Sequence, residues 1–288
     1  MKILVTGGAG FIGSHVCESL LKRRDEVICV DNFNDYYNPE YKEKNVSECL
    51  KNDNFKLYRI DICDVDLLKE VFEKEKPEKI IHLAARAGVR PSIKDPSLYY
   101  ETNVKGTLNL LELAKDFKVK NFVFGSSSSV YGNRKKGPFS EEDKVDNPIS
   151  PYAATKKAGE ELCYTYHCLY DLSVVCLRFF TVYGPRGRPD MAIRKFSELI
   201  RDNKEIEVYG DGNSERDYTY VSDIVDGILK SLDKEWDFEI INLGNNNPVK
   251  LSYLIELIEQ NIGKKARIEK RSMQQGDVLI TYAEINNA

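Results

Sequence analysis

A tyrosine is a poor base at neutral pH, because its phenol ionises near pH 10. Tyr152 is followed four residues later by Lys156, and in a helix the two share one face. A cation held there favours phenolate over phenol, and the N-terminal half of a helix dipole acts weakly in the same direction. Such a tyrosine can take the proton from a substrate hydroxyl. A YxxxK string alone equally describes an amphipathic surface. Its weight comes from Gly125-Ser126-Ser127-Ser128-Ser129, which closes an apolar run. If that run is a strand of an open α/β sheet, its C-terminal end is where ligands sit, and the serines supply hydroxyls to orient substrate oxygens.

A second constellation lies at the N-terminus. Gly7, Gly10 and Gly13 follow an apolar run directly and precede a helical stretch. A turn of this kind aims backbone N–H groups and a helix N-terminus at a pyrophosphate, and a Cβ would block close approach. Strand, glycine turn, helix and second strand in that order predict a dinucleotide site. Asp31 ends the second strand, where a carboxylate accepts hydrogen bonds from a ribose 2′-OH and repels a 2′-phosphate, so NAD is expected over NADP. The alternative is that Asp31 only caps a loop. Asp61 and Ile62, at the end of the third strand, are placed to flank an adenine.

These residues need a scaffold, and the apolar pattern supplies one. Strands are expected at Lys2–Thr6, Glu26–Asp31, Lys56–Ile60, Lys79–Leu83, Asn121–Gly125, Ser173–Arg178 and Phe238–Asn242. Each is a nearly unbroken apolar run, as for strands buried on both faces. Helices are expected at Cys17–Arg24, Leu67–Glu75, Thr102–Phe117 and Pro151–Tyr170; Ser150 is a favoured N-cap and Pro151 a favoured first helical residue. The alternation predicts an α/β fold: a doubly wound, Rossmann-type parallel sheet of about seven strands over residues 1–178. After Arg178 turn-rich stretches appear, predicting a smaller C-terminal substrate-binding lobe over 179–288, with the chain returning to the sheet at about 219–245.

Composition narrows the class. Of 288 residues, 42% are apolar and 31% charged, which suits a globular protein. Apolar runs are too short to span a bilayer, and the glycine-interrupted N-terminus is no signal peptide, so no membrane partner is expected. A net charge of −4 with no basic stripe speaks against nucleic acid. Seven cysteines without a CxxC pair fit free thiols in a reducing cytoplasm, and three widely separated histidines predict no metal site.

The chain resembles the extended short-chain dehydrogenase/reductases over nearly its whole length. TGGAGFIG (6–13), HLAA (82–85), Asn103, SSSSVYG (126–132), the YxxxK helix and RDYTYVSDI (216–224) carry the likeness. Within that group it is most similar to UDP-glucuronate 4-epimerases, through DNFNDYY (31–37), AGVR (87–90) and LRFFTVYGPRGRPDMA (177–192). The resemblance implies a cofactor site of Gly7, Gly10, Phe11, Ile12, Gly13, Asp31, Asn32, Asn34, Asp61, Ile62, Leu83, Ala84, Ala85, Asn103, Ser126, Tyr152 and Lys156. It implies C4 epimerisation of a UDP-sugar, UDP-glucuronate to UDP-galacturonate, through a transient 4-keto sugar. Tyr152 would take the 4-OH proton, Lys156 would lower the Tyr152 pKa, and Ser127 would hydrogen-bond the reacting oxygen.

A 4-keto uronate is a β-keto acid and loses CO₂ readily, so its carboxylate must be held. Arginine offers a bidentate fork for it. Arg188 is the first candidate, aided by Ser128 and Ser129, and Arg186 is the rival. The resemblance further implies Arg216 at the diphosphate, Asp277 on the ribose side, and Arg90 and Val208 as substrate contacts. It sets Thr181 where glucose-type relatives often carry Asn. A dehydratase of the group would place Asp-Glu where this chain has Ser128-Ser129. Decarboxylation, neutral-sugar epimerisation and a non-catalytic NAD-binding regulator are the remaining alternatives. Relatives dimerise through helices matching 102–117 and 152–170, so a homodimer is expected, and they continue past TYAEI (281–285) into a closing helix.

Overall fold

The structure, a computed structural model, describes residues 1–274 and 276–288. In chain order its first part comprises β1 (Lys2–Thr6), α1 (Phe11–Lys22), β2 (Glu26–Val30), α2 (Glu40–Val46), β3 (Phe55–Tyr58), α3 (Val65–Glu75), β4 (Lys79–His82), α4 (Val89–Lys94), α5 (Pro96–Tyr100), α6 (Gly106–Asp116), β5 (Asn121–Ser127), α7 (Pro151–Tyr170) and β6 (Val174–Phe179). There follow β7 (Thr181–Tyr183), α8 (Ala192–Arg201), β8 (Glu205–Tyr209), β9 (Glu215–Tyr220), α9 (Val221–Asp233), β10 (Phe238–Leu243), β11 (Pro248–Lys250), α10 (Leu251–Ile262), β12 (Arg267–Arg271) and β13 (Ile280–Thr281).

Seven strands form one sheet in the order β10-β6-β5-β4-β1-β2-β3, all neighbours running parallel. These are the seven runs expected from the sequence, with ends shifted by a residue or two. Alternate residues feed two cores, one on each face. Ile3, Val5, Val27 and Cys29 pack under α1 and α9. Leu4, Ile28, Phe122 and Phe124 pack under α3, α6 and α7. Successive side chains of a strand point to opposite faces, so a strand covered on both sides must be apolar throughout.

The strand order reverses between β1 and β4, which opens a crevice at their C-terminal ends. β9 pairs with β7, β11 and β13, and β8 with β12, to build the second lobe beside that crevice. Its separate core includes Phe196, Ile200, Ile206, Leu254 and Ile258. α9 and β10 lead the chain back to the large sheet.

One helix differs from expectation in a useful way. α1 begins at Phe11, directly after Gly10, rather than at Cys17. The glycines obscure the helical period there, yet the early start is what brings the helix N-terminus to the crevice. Likewise the stretch from Thr102 opens with a wide, π-type turn (Glu101–Lys105) before α6 proper. No helix among the described residues is long and apolar enough to cross a membrane.

Candidate active site

The crevice is floored by the glycine turn. Gly7 takes φ +70°, and a Cβ there would lie 2.7 Å from the Ala84 backbone nitrogen. A Cβ on Gly13 would collide with the Gly7 carbonyl. Both glycines are therefore needed for the turn to pack on its own backbone. Gly10 has only one neighbour at 3.1 Å and faces open space. It caps α1 without any side-chain hydrogen bond, so the first N–H groups of the helix remain available to a phosphate.

Of the residues expected to hold the cofactor, sixteen line this one cavity: Gly7, Gly10, Phe11, Ile12, Gly13, Asp31, Asn32, Asn34, Asp61, Ile62, Leu83, Ala84, Ala85, Ser126, Tyr152 and Lys156. Asp31 stands at the end of β2, between the turn and the cavity. Its carboxylate accepts from Phe33 N at 2.9 Å and Ala9 N at 3.2 Å, bracing the glycine turn, while it also lines the cavity. Asp61 accepts from Asn32 Nδ2 at 2.7 Å and from Cys63 N at 2.8 Å. Burial raises its carboxyl pKa, but these bonds outweigh that and leave it below the ordinary value.

Asn103 is the exception. It is buried away from the cavity; its Oδ1 accepts from Arg86 N at 2.7 Å and its Nδ2 donates to Arg86 O and Thr155 Oγ1, each at 3.0 Å. It ties the loop after β4 to α7, and its neighbour Thr102 lines the cavity instead. Lys42 and Tyr36 also line it; Tyr36 carries a sequence signal only as part of DNFNDYY, and Lys42 gives none. Lys42 belongs to the charged run EYKEKNV of α2, which reads as solvated surface until the fold buries one side.

The reacting end lies where α7 meets β5. Ser150 accepts from Ala153 N at 3.1 Å and starts the helix, setting Tyr152 at its second position. Burial pushes the Tyr152 phenol pKa up, while a hydrogen bond from Ser127 and the charge of Arg188 pull it down. Lys156 lies one turn further along α7. Its Nζ donates to Gly125 O at 2.6 Å and lies 5.0 Å from the Phe124 ring centre. The charge of Arg188 thus opposes the burial of Tyr152, while the end of β5 holds the lysine. Burial lowers the Lys156 pKa to about 8.

A larger cavity in the second lobe meets the first at Arg188, which lines both. Arg90, Thr181, Arg216 and Asp277 share its wall. Ser128 and Ser129 line an adjoining recess with Thr181, Arg216 and Asp277. Ser127 Oγ lies 3.2 Å from Ser129 Oγ. Arg90 pairs with Asp277 at 2.7 Å and stacks over Tyr209. Arg216 donates to the carbonyls of Val278 and Glu215, each at 2.8 Å. The carboxylate acting on it, Asp277, is itself paired with Arg90. Burial lowers its pKa, outweighing the opposing pull of Tyr218 and Asp277.

Two substrate expectations are corrected by placement. Val208 is packed in the second-lobe core, and its neighbours Glu207 and Tyr209 line the cavity, because side chains alternate along β8. Arg186 turns away to α1, where it donates to Glu18 at 2.5 Å and Ser14 at 3.3 Å. Only Arg188 of the two reaches the cavities.

The family comparison agrees with this geometry. The sequence model described as "NAD dependent epimerase/dehydratase family" matches residues 3–244. The chain belongs to that family. It is 50% identical to a UDP-glucuronate 4-epimerase of Thermodesulfobacterium geofontis over 286 residues, covering 99% of this chain and 88% of the relative. A crystal structure of UDP-glucuronic acid 4-epimerase from Bacillus cereus, in complex with UDP-glucuronic acid and NAD, superposes with a TM-score of 0.93 at 38% identity, over 99% of this chain and 90% of that one. UDP-glucose 4-epimerase of Thermotoga maritima, solved with UDP-glucose, gives 0.92 at 33% identity over 100% and 91%.

Proposed function

We propose that this chain catalyses the NAD-dependent C4 epimerisation of UDP-glucuronate to UDP-galacturonate. The observation that carries the reading is Arg188: a mostly buried guanidinium at the junction of the two cavities, close enough to Tyr152 for its charge to act on the phenol. A uronate bound across that junction has its carboxylate at an arginine and its C4 hydroxyl at a base.

The cofactor fits the residues present. The uncapped start of α1 would receive the pyrophosphate and Asp31 the adenosine ribose, and Asp61 and Ile62 would flank the adenine. When bound, NAD supplies a hydride acceptor that takes the C4 hydride and gives it back. The protein does the rest. Tyr152 takes the 4-OH proton and later returns it, with Ser127 holding the reacting oxygen. Lys156 supplies positive charge at the end of β5. Arg188, Ser128 and Ser129 fix the carboxylate so that the C5–C6 bond stays out of line with the C4 carbonyl. Arg216 meets the diphosphate, with Arg90, Asp277 and Thr181 around the nucleotide and sugar.

The test is turnover of UDP-glucuronate, UDP-glucose and a dTDP-sugar followed by NMR. Interconversion of glucuronate and galacturonate forms alone is expected. Pentose as the main product, or turnover only of UDP-glucose, overturns the assignment. We also read the molecule as a cytoplasmic homodimer. Free thiols, five of them buried, fit a reducing compartment. Exposed Leu108 on α6 and Tyr164 and Leu169 on α7 leave an apolar face for a second copy. Light scattering should return twice the chain mass, and the monomer mass would reject the dimer.

A further inference from the structure

Arg188 is not loose in the cavity. Its Nε and Nη2 donate to the two oxygens of Asp190 at 2.9 and 2.8 Å, gripping that carboxylate from the side. Asp190 Oδ2 also accepts from the Tyr36 phenol at 3.2 Å, and the Arg188 guanidinium sits 5.7 Å from the Tyr36 ring centre. Tyr36 belongs to DNFNDYY, whose Asp31, Asn32 and Asn34 line the cofactor cavity, and its backbone N–H donates to Asn34 Oδ1 at 3.2 Å. Gly88 leaves room for the phenol: a Cβ there would lie 2.7 Å from its oxygen. Burial holds the Tyr36 pKa up at about 12, so it remains a hydrogen-bond donor at neutral pH.

A guanidinium has five N–H donors. Asp190 uses the Nε edge, and one Nη2 hydrogen faces Met191 Sδ at 3.6 Å. Nη1 makes no hydrogen bond among the described residues, so its two N–H groups can still take a second carboxylate. Asp190 therefore fixes the plane of the group without competing for its free end. That plane matters because of the side reaction. In decarboxylation of the 4-keto uronate the C5–C6 bond breaks, CO₂ leaves, and the bonding pair moves to the C4 oxygen as an enolate. The enolate takes a proton at C5, and return of the hydride to C4 gives the pentose. The bond breaks only when it overlaps the carbonyl π system, so an arginine free to swing lets C6 wander into line.

We propose that Asp190 and Tyr36 are positioning residues that lock the Arg188 guanidinium and so set the split between epimer and decarboxylated pentose. The proposal rests on Arg188 holding the uronate carboxylate.

The experiment follows UDP-glucuronate turnover by NMR for wild type, Arg188→Ala, Asp190→Asn, Asp190→Glu and Tyr36→Phe, all as purified holoenzyme. The ratio of pentose to galacturonate forms is the readout, since it does not depend on how much enzyme is folded or loaded. Asp190→Asn should raise it at least about tenfold, the worth of one charge-assisted hydrogen bond, and Tyr36→Phe about threefold. Asp190→Glu should bring the ratio back towards wild type. If Asp190→Asn does not fold, Tyr36→Phe and Asp190→Glu decide. A shifted ratio in Arg188→Ala with wild-type ratios in the Asp190 and Tyr36 variants overturns this proposal alone. An unshifted Arg188→Ala, or a wild type that makes no galacturonate, overturns the reading beneath it as well.

Discussion

In the proposed reaction Tyr152 acts as a base although burial raises its pKa, so its neighbours decide its usefulness. Ser127 and Arg188 act on it directly, whereas Lys156 is held by Gly125 O. Removing the phenol oxygen should therefore cost chemistry, not folding: Tyr152→Phe is expected to lower kcat by about 10²–10⁴ with cooperative unfolding retained. Lys156 gives a prediction of opposite character. Its pKa falls from 10.5 to about 8 on burial, so between those values the unfolded chain binds a proton the folded one does not. Stability must then rise with pH across that window. In urea unfolding of the cofactor-free protein, wild type should gain on Lys156→Met between pH 8 and 10. A difference that stays flat would mean the ammonium is not desolvated.

Among the elements, α7 carries the proposed catalytic Tyr152 and Lys156, and a buried ion pair fastens it. Glu160, one turn beyond Lys156, accepts from Arg178 of β6 at 2.8 and 2.9 Å and from Ser126 of β5 at 2.6 Å. Both charged side chains are only 1% exposed. Arg178 also donates to Tyr131 at 3.0 Å, and Tyr131 to Asn242 of β10 at 2.7 Å. One network thus spans α7 and the three strands at its end of the sheet. Removing one partner strands the other charge in the core, so Arg178→Met should cost about 3–5 kcal/mol in denaturant unfolding. Leaving the hydrophobic layers intact, the change tests the pair rather than the packing.

At the scale of the molecule, the site exists only because two lobes meet. The sheet provides the cavity proposed for the cofactor, the second lobe the one proposed for the substrate, and the segment after β6 delivers Arg188 to their junction. That segment is anchored on α1 by Arg186 to Glu18 and by His15 with Pro185 O at 3.0 Å. A ligand that binds the folded form stabilises it by mass action. NAD at a hundred times its Kd should raise the unfolding free energy by about 2.7 kcal/mol. Gly13→Ala should abolish that gain, since its Cβ meets the Gly7 carbonyl and disrupts the turn. A retained gain would show that the turn is not where the cofactor binds.

What the amino-acid order determined here is local or periodic. Unbroken apolar runs such as Lys79–His82 mark strands covered on both faces, Ser150-Pro151 marks the start of α7, and glycines between strand and helix mark a phosphate turn. These signals need no distant partner. The tertiary structure decided everything that depends on which way a side chain turns. Arg186 and Arg188 are two residues apart and chemically equal in sequence, yet one is spent on Glu18 and the other reaches the cavities. Asn103 carries the family pattern but serves as a clamp, and Asp190 and Tyr36, 154 positions apart, meet only through the fold. Spacing along a chain fixes which residues share a face of one element. Which partner claims a charge is fixed by burial and by the nearest acceptor, and those arise only when the lobes close on each other.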